Sequence, residues 1–391
     1  MIKKIPIAWL QLQYQKGQTV AAILGIAFTT ILLFMQIGFR SVFLESMVQL
    51  PASFQSEIVL MSTSSITVLT PVTFSERRLY QALAFPEVES VTPIYLTRTL
   101  LKNPNNKSIF LRQIQVIAFP LKSQIIDLPG VEENLAKLKV ENVVLLDEQS
   151  RPEFTPLISE FKENGKLITE AITLSSARQK VEIGGLFQLG ANTTFNSTLI
   201  TSDTSFLGIF GRNRGEIDLG LIHVKPGVDI LQLLSQMESY FPEDVQILSK
   251  ADLIAKEKDF YENSTPIGLI FRFGLIGAIA VGAIILYQIL YQKISIFIKE
   301  YATLKALGYS HNSLVKVVLE ESFILAILGY IPGLILSFMM YDLLAEATSL
   351  KFVMTLDVAI AVLLSTCLIC FISGLISVRK LKEADPAEIF N

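Results

Sequence analysis

Few residues in this 391-residue sequence are of the types that do chemistry, and their spacing limits what they can do. The two histidines, His223 and His311, stand far apart with no HExxH pattern or Cys/His cluster around either, so no zinc site can be assembled from them. No GxSxG turn offers a nucleophile elbow, and no Gly-Lys-Ser/Thr follows a glycine at the spacing of a phosphate loop. Cys367 and Cys370 have the CxxC spacing of metal and redox sites. No second thiol pair accompanies them, and inside an apolar run they read as two small bilayer residues. Arg212 and Arg214, in Gly211-Arg-Asn-Arg-Gly215, are either a grip for an anion or two solvated loop cations. Glu320 and Glu321 stand at one end of an apolar run, where they either complement a helix dipole or serve a function. The run centres hold no carboxylate, which argues against a proton- or ion-coupled carrier. The chain therefore reads as non-enzymatic, with no metal, cofactor or energy source of its own.

The elements that would position these residues are set by hydropathy. The sequence is 51% hydrophobic and 18% charged, with a mean hydropathy of +0.49, so membrane lipid is its expected surrounding. A net charge of -3 gives no reason to expect a nucleic-acid partner. Apolar runs at 18–40, 265–291, 315–341 and 356–378 each reach the roughly 30 Å that a bilayer helix needs. The first follows an amphipathic segment, 1–17, with Lys3, Lys4 and Lys16 around Trp9 and Tyr14. It is too long for a signal peptide and is expected to be retained. Gln36 is expected to pack against a neighbouring helix and Arg272 to snorkel outward. Gly329, Pro332 and Gly333 should bend or thin the third span and let helices approach closely.

Residues 41–264 have soluble composition, with stalk-like ends. A helix over 73–85 and a strand over 88–96 recur in kind near the far end as a strand over 219–224, a helix over 229–240 and a strand over 245–248. Between them 140–146, 167–174, 179–189 and 198–202 read as strands, with loop tips at 103–107 and 211–215. The expected fold is thus an α-helical membrane protein with four transmembrane helices and a large α+β extracytoplasmic domain inserted between helices 1 and 2. A short loop, 342–355, joins the last two spans, and a tail, 379–391, closes the chain. Lys3, Lys4, Lys16, Lys293, Lys299, Lys305, Lys316, Arg379, Lys380 and Lys382 fall on one side, against Lys351 in the opposite short loop. Positive residues favour the cytoplasm. The termini and the segment 292–314 are therefore expected inside, and the large domain outside, by connectivity.

The polar segment 292–314 interrupts the apolar last third. Tyr301, Leu304 and Leu307 fall on one helical stripe with Lys305 beside it, Gly308 suits a left-handed C′ position, and Ser310 can cap the next helix. Ala302-Thr-Leu-Lys-Ala-Leu-Gly-Tyr-Ser310, Leu319-Glu-Glu-Ser322, Gly329-x-x-x-Gly333 and Arg379-Lys380…Ala384-Asp-Pro-Ala-Glu388 together resemble the C-terminal core of the FtsX/MacB-type ABC permeases. Ala8-Trp-Leu-Gln-Leu and Gly25-Ile-Ala-Phe…Phe34-Met-Gln-Ile-Gly-Phe39 look more specifically like the cyanobacterial DevC permeases.

The resemblance implies a MacB-like permease subunit of an ATP-driven tripartite exporter in the bacterial inner membrane. A separate cytosolic ABC ATPase, which binds the ATP and Mg, would dock on Lys299, Tyr301, Leu304, Lys305, Ala306, Leu307 and Gly308. Glu321, Gly329 and Gly333 would be coupling or structural positions. A homodimer, a periplasmic adaptor and an outer-membrane channel are implied as partners, and a glycolipid or other amphiphile as cargo. The alternatives are an FtsX-like permease that transmits force without transport, whose outer domain is usually much smaller, and a lipoprotein-releasing permease.

Overall fold

The computed structural model describes residues 7–102, 110–121, 125–173, 177–348, 350 and 352–379. Lys3, Lys4, Lys351, Lys380, Lys382, the loop tip 103–107 and the tail beyond Arg379 lie outside them. The chain forms two units, one of residues 1–42, 266–345 and 352–391 and the other of 43–265 and 346–351.

Among the described residues four helices are long and apolar enough to cross a bilayer: Lys16–Ser53, Pro266–Ile296, His311–Thr348 and Leu356–Ser377. The chain is a membrane protein carrying a mixed α+β domain between the first two of these helices. The first and third helices have 38 residues each and outrun their apolar stretches. Small residues set how closely the helices meet. A Cβ built on Gly329 would stand 2.5 Å from Cβ of Ile26, and one on Gly333 would stand 2.7 Å from Cβ of Thr30. The third helix therefore lies on the first by virtue of its GxxxG. A Cβ on Gly274 would overlap the Gln36 amide, so Gln36 packs on the second helix. Hydroxyls add cross-helix bonds. Tyr341 donates to the Phe34 carbonyl at 2.7 Å, Tyr330 to that of Ala359 at 2.9 Å and Ser373 to that of Ala283 at 3.2 Å. Pro332 sits within the third helix, which continues through it.

In the α+β unit the strands are β1 (Ile58–Ser62), β2 (Phe74–Ser75), β3 (Val88–Lys102), β4 (Phe110–Phe119), β5 (Val143–Asp147), β6 (Leu167–Ile172), β7 (Arg178–Phe187), β8 (Ser197–Ser202), β9 (Glu216–Ile217), β10 (Leu219–Val224) and β11 (Val245–Ser249). Nine of them form one sheet among the described residues, in the order β11-β1-β10-β3-β4-β8-β5-β7-β6. Its first four strands are all antiparallel neighbours. With the helices Glu76–Gln81 and Ile230–Tyr240 as crossovers, this is the split βαβ arrangement. The two similar units read from the sequence are its halves, and residues 103–218 are inserted between them.

β3 is long enough to belong to two structures. Its N-terminal half pairs with β10, and its C-terminal half pairs with β4 and, at Leu100 and Leu101, with β6. That last pairing closes β3-β4-β8-β5-β7-β6 into a ring and leaves no free edge there. Alternation along β3 sends Tyr95 to one apolar core and Ile94 and Leu96 to the other. β1 and β4 are strands that the sequence reading passed over. β1 is buried along its whole length, so it shows no alternation. The helix expected over 73–85 is shorter, because Phe74 and Ser75 pair with Ile217 and Glu216 before the chain turns helical at Glu76.

In the Gly211–Gly215 loop, one of the two arginines differs from both of its sequence readings. Arg212 is neither an open anion grip nor solvated. Its Nη2 donates to Asp218 Oδ2 at 2.9 Å and to the Leu96 carbonyl at 2.8 Å, and its guanidinium lies 5.9 Å from the Phe206 ring centre. Arg214 is exposed.

Candidate functional site: the polar turn and its seat

The turn between the second and third span helices is built by a local stop signal. The helix Ile298–Ala306 ends with Gly308 at φ 91°, a backbone conformation only glycine adopts freely. The Gly308 N–H then donates to the Lys305 carbonyl and the Tyr309 N–H to that of Leu304, both at 3.0 Å, completing a Schellman motif. Ser310 starts the next helix, its Oγ accepting from Ser313 N–H at 3.3 Å.

This short helix has an inward face and an outward tip. Tyr301 and Ala302 are buried against Ile294, Phe297, Leu314, Val318 and Val378, with Leu304 partly buried at the edge. Tyr301 Oη donates to Gln11 Oε1 at 3.2 Å, and Tyr14 meets Phe297 with ring centres 6.5 Å apart. The N-terminal helix Ile7–Tyr14 thus braces the same seat. Of the residues expected to meet an ATPase, Lys299, Ala306, Leu307 and Gly308 are exposed and Lys305 is half-buried, whereas Tyr301 points into its own chain. Leu307 is 73% exposed and Tyr309 46% exposed, so the tip presents apolar surface to its surroundings. The stripe of Tyr301, Leu304 and Leu307 read from the sequence therefore divides. Its first residue anchors the helix, and its last is available to a partner.

Beneath the seat lies an ion pair whose full extent the sequence did not reveal. Lys293 Nζ donates to Glu321 Oε1, and both side chains are almost wholly buried. In the sequence Glu321 is a coupling position by resemblance, and Lys293 is one of the positive charges that favour the cytoplasm. A lysine at the end of an apolar run signals either a solvated flank or a buried counter-ion, and only the packing of the third helix on the second decides which. Next to Glu321, Ser322 donates to the Val318 carbonyl at 2.8 Å, and Gly374 leaves room for that serine. Among the described residues no group of three metal-ligating side chains occurs. Cys367 and Cys370 lie together on the fourth span helix.

Residues 272–386, which contain this turn and the helices around it, match the FtsX-like permease C-terminal domain. The match begins within the second span helix and covers the last part of the chain alone. Among solved structures, the chain is similar to the periplasmic region of MacB from Actinobacillus actinomycetemcomitans. The identity is 12% and the TM-score 0.35, over 55% of this chain and 96% of that one. It is also similar to the extracellular domain of the noncanonic ABC-type transporter YknZ from Gram-positive bacteria, at 12% identity and TM-score 0.33, over 49% of this chain and 98% of that one. A search of curated proteins gave no match.

Proposed function

We propose that the chain is the permease subunit of an ABC system, in which a separate cytosolic ATPase docks on the tip at Leu307, Gly308 and Tyr309. One observation carries this reading. Within the FtsX-like stretch, a helix fixed to the span bundle by its buried face ends in an exposed apolar tip, stopped sharply by a left-handed glycine. An exposed leucine and tyrosine on a rigid seat suit a protein partner. ATP binding by two ATPases would draw together the tips of two copies of the chain, and Lys293–Glu321 would make each tip move with its spans. On this reading the termini face the cytoplasm of a bacterial inner membrane and the α+β domain faces the periplasm. There it would work with an adaptor and an outer-membrane channel to export an amphiphile, as the DevC-like N-terminal residues suggest.

Co-purification tests the docking surface. Leu307→Asp combined with Tyr309→Asp should abolish capture of the ATPase while membrane insertion is retained, because neither side chain supports the internal seat. Unchanged capture would refute the assignment. Leu304 is a poorer probe, since it packs into the seat and its replacement would also disturb the fold. The proteins captured with the α+β domain separate the exporter reading from its rivals: an adaptor and channel support it, whereas a cell-wall hydrolase activator or a lipoprotein chaperone would replace it.

A further inference from the structure

Two neighbouring residues of the helix Lys250–Asp259 hold the segment 63–72 in place. Glu257, fully buried, accepts from the Val68 N–H at 2.6 Å through its Oε1. Lys256 Nζ donates to Gln246 Oε1 at 2.5 Å, and Gln246 Nε2 donates in turn to the carbonyls of Ser62 at 2.9 Å and Ser65 at 3.3 Å. One turn further on, Tyr261 lies in the π-helical turn Phe260–Ser264. Its hydroxyl is within hydrogen-bond reach of Thr67, and its ring centre is 6.1 Å from that of Phe43. Such turns are rare and occur often at functional sites.

An ionised carboxylate fits this place badly. Glu257 Oε2 is buried and has no hydrogen-bond partner among the described residues. A buried carboxylate with one N–H donor leaves most of its charge unsatisfied, whereas the neutral acid keeps the Val68 bond at far smaller cost. The surrounding groups offer little relief. The helix Lys250–Asp259 packs on β1 and β11, and neither these strands nor the segment 63–72 hold a titratable side chain. Glu45, on the helix that carries Phe43, is exposed. Tyr261, pushed up to about 12 by burial, stays neutral. Lys256 is the cation that acts on Glu257, and its ammonium is bonded to Gln246. Burial therefore prevails and holds the Glu257 carboxyl at about 7.

We infer that Glu257 is a proton-operated latch: its neutral acid keeps the segment 63–72 fastened to the helix Lys250–Asp259, and loss of the proton to water frees Val68 and lets the segment part from the helix. Closing the latch takes up a proton, because the released carboxyl has its ordinary value of 4.5 and the buried one about 7. The latch is therefore tightest in acid, weakens as pH rises from about 4.5 to about 7, and stays weak above that. The inference does not rest on the docking reading, and its test uses the chain without any ATPase.

Amide hydrogen exchange of the full chain in nanodiscs, corrected for the intrinsic rate at each pH, reads the state of the latch. Protection of the segment 63–72 should fall about tenfold or more between about pH 5 and about pH 8, while that of the helix Ile230–Tyr240 in the same unit holds steady. Glu257→Gln keeps an acceptor for Val68 and has no proton to lose, so its segment should stay protected at both pH values. Glu257→Ala, with no acceptor, should leave the segment unprotected at both. Equal protection of the segment at the two pH values in the unaltered chain overturns the inference. So does a parallel loss in Ile230–Tyr240, which would be general unfolding, or a pH response that persists undiminished in Glu257→Gln. The unaltered chain, compared with its own reference helix, keeps the test decisive even if neither variant folds.

Discussion

The carboxyl of Glu257 is held by burial near pH 7, well above its ordinary value of 4.5, despite the Val68 N–H and the nearby Lys256 acting in the opposite direction. Folded chain therefore binds this proton more tightly than unfolded chain. Between about pH 4.5 and about 7 the folded state carries the extra proton, so stability falls as pH rises through that window and levels off above it. Asp218, raised by burial to about 6, adds a slope of the same sign at lower pH, partly offset by Arg212. Glu257→Gln keeps an acceptor for Val68 and removes one titration. Melting of the full chain in detergent at about pH 5 and about pH 8 should show a smaller difference for this variant, with greater stability than the unaltered protein at the higher pH. An unchanged slope would show that Glu257 ionises elsewhere in the range. Lys293 and Glu321 present a different residue-scale case. Either charge alone, left buried without its partner, costs about 3–5 kcal/mol, whereas removing both together is near neutral. Lys293→Met and Glu321→Leu should each lower the melting temperature, and the double variant should recover most of the loss. Additive losses would mean that the pair does not act as a unit.

At the scale of elements, the first and third span helices meet through Gly329 and Gly333 along one stretch and through Tyr330 and Tyr341 against Phe34 along another. Replacing Gly329 by leucine puts a branched side chain where even one added carbon stands 2.5 Å from Ile26. No flexible chain end lies there to move aside. The expected result is a chain that inserts but does not pack, read as protease sensitivity of the membrane unit in detergent; a resistant variant would show that the two helices can part without cost. Gly308 offers a contrast, because a Cβ there meets nothing within 4 Å. Gly308→Ala strains only the backbone, by about 1 kcal/mol. It should leave the spans packed while it frays the tip and weakens ATPase capture. Split responses of these two glycines, one in packing and one in docking, would separate the bundle from its tip.

For the molecule as a whole, the proposal requires Leu307 and Asn192 to lie on opposite sides of the membrane. Reporter fusions at the two positions should give opposite signals, and equal signals would remove the turn from any cytosolic motor. Much of the architecture was legible in the sequence. Four apolar runs are a matter of length, Gly308 and Ser310 are local stop and start signals, and β10, the Asp229-capped helix Ile230–Tyr240 and β11 follow alternation and turn chemistry. Each of these depends on residues close together in the chain. Only the tertiary structure decided that Lys293 meets Glu321, that Tyr301 faces inward while Leu307 does not, that Arg212 is spent on Asp218, and that β3 serves both a split βαβ sheet and a closed ring. A residue's partner across tens of positions leaves no periodic trace, and whether a charge is solvated or buried depends on which helix or strand comes to lie beside it.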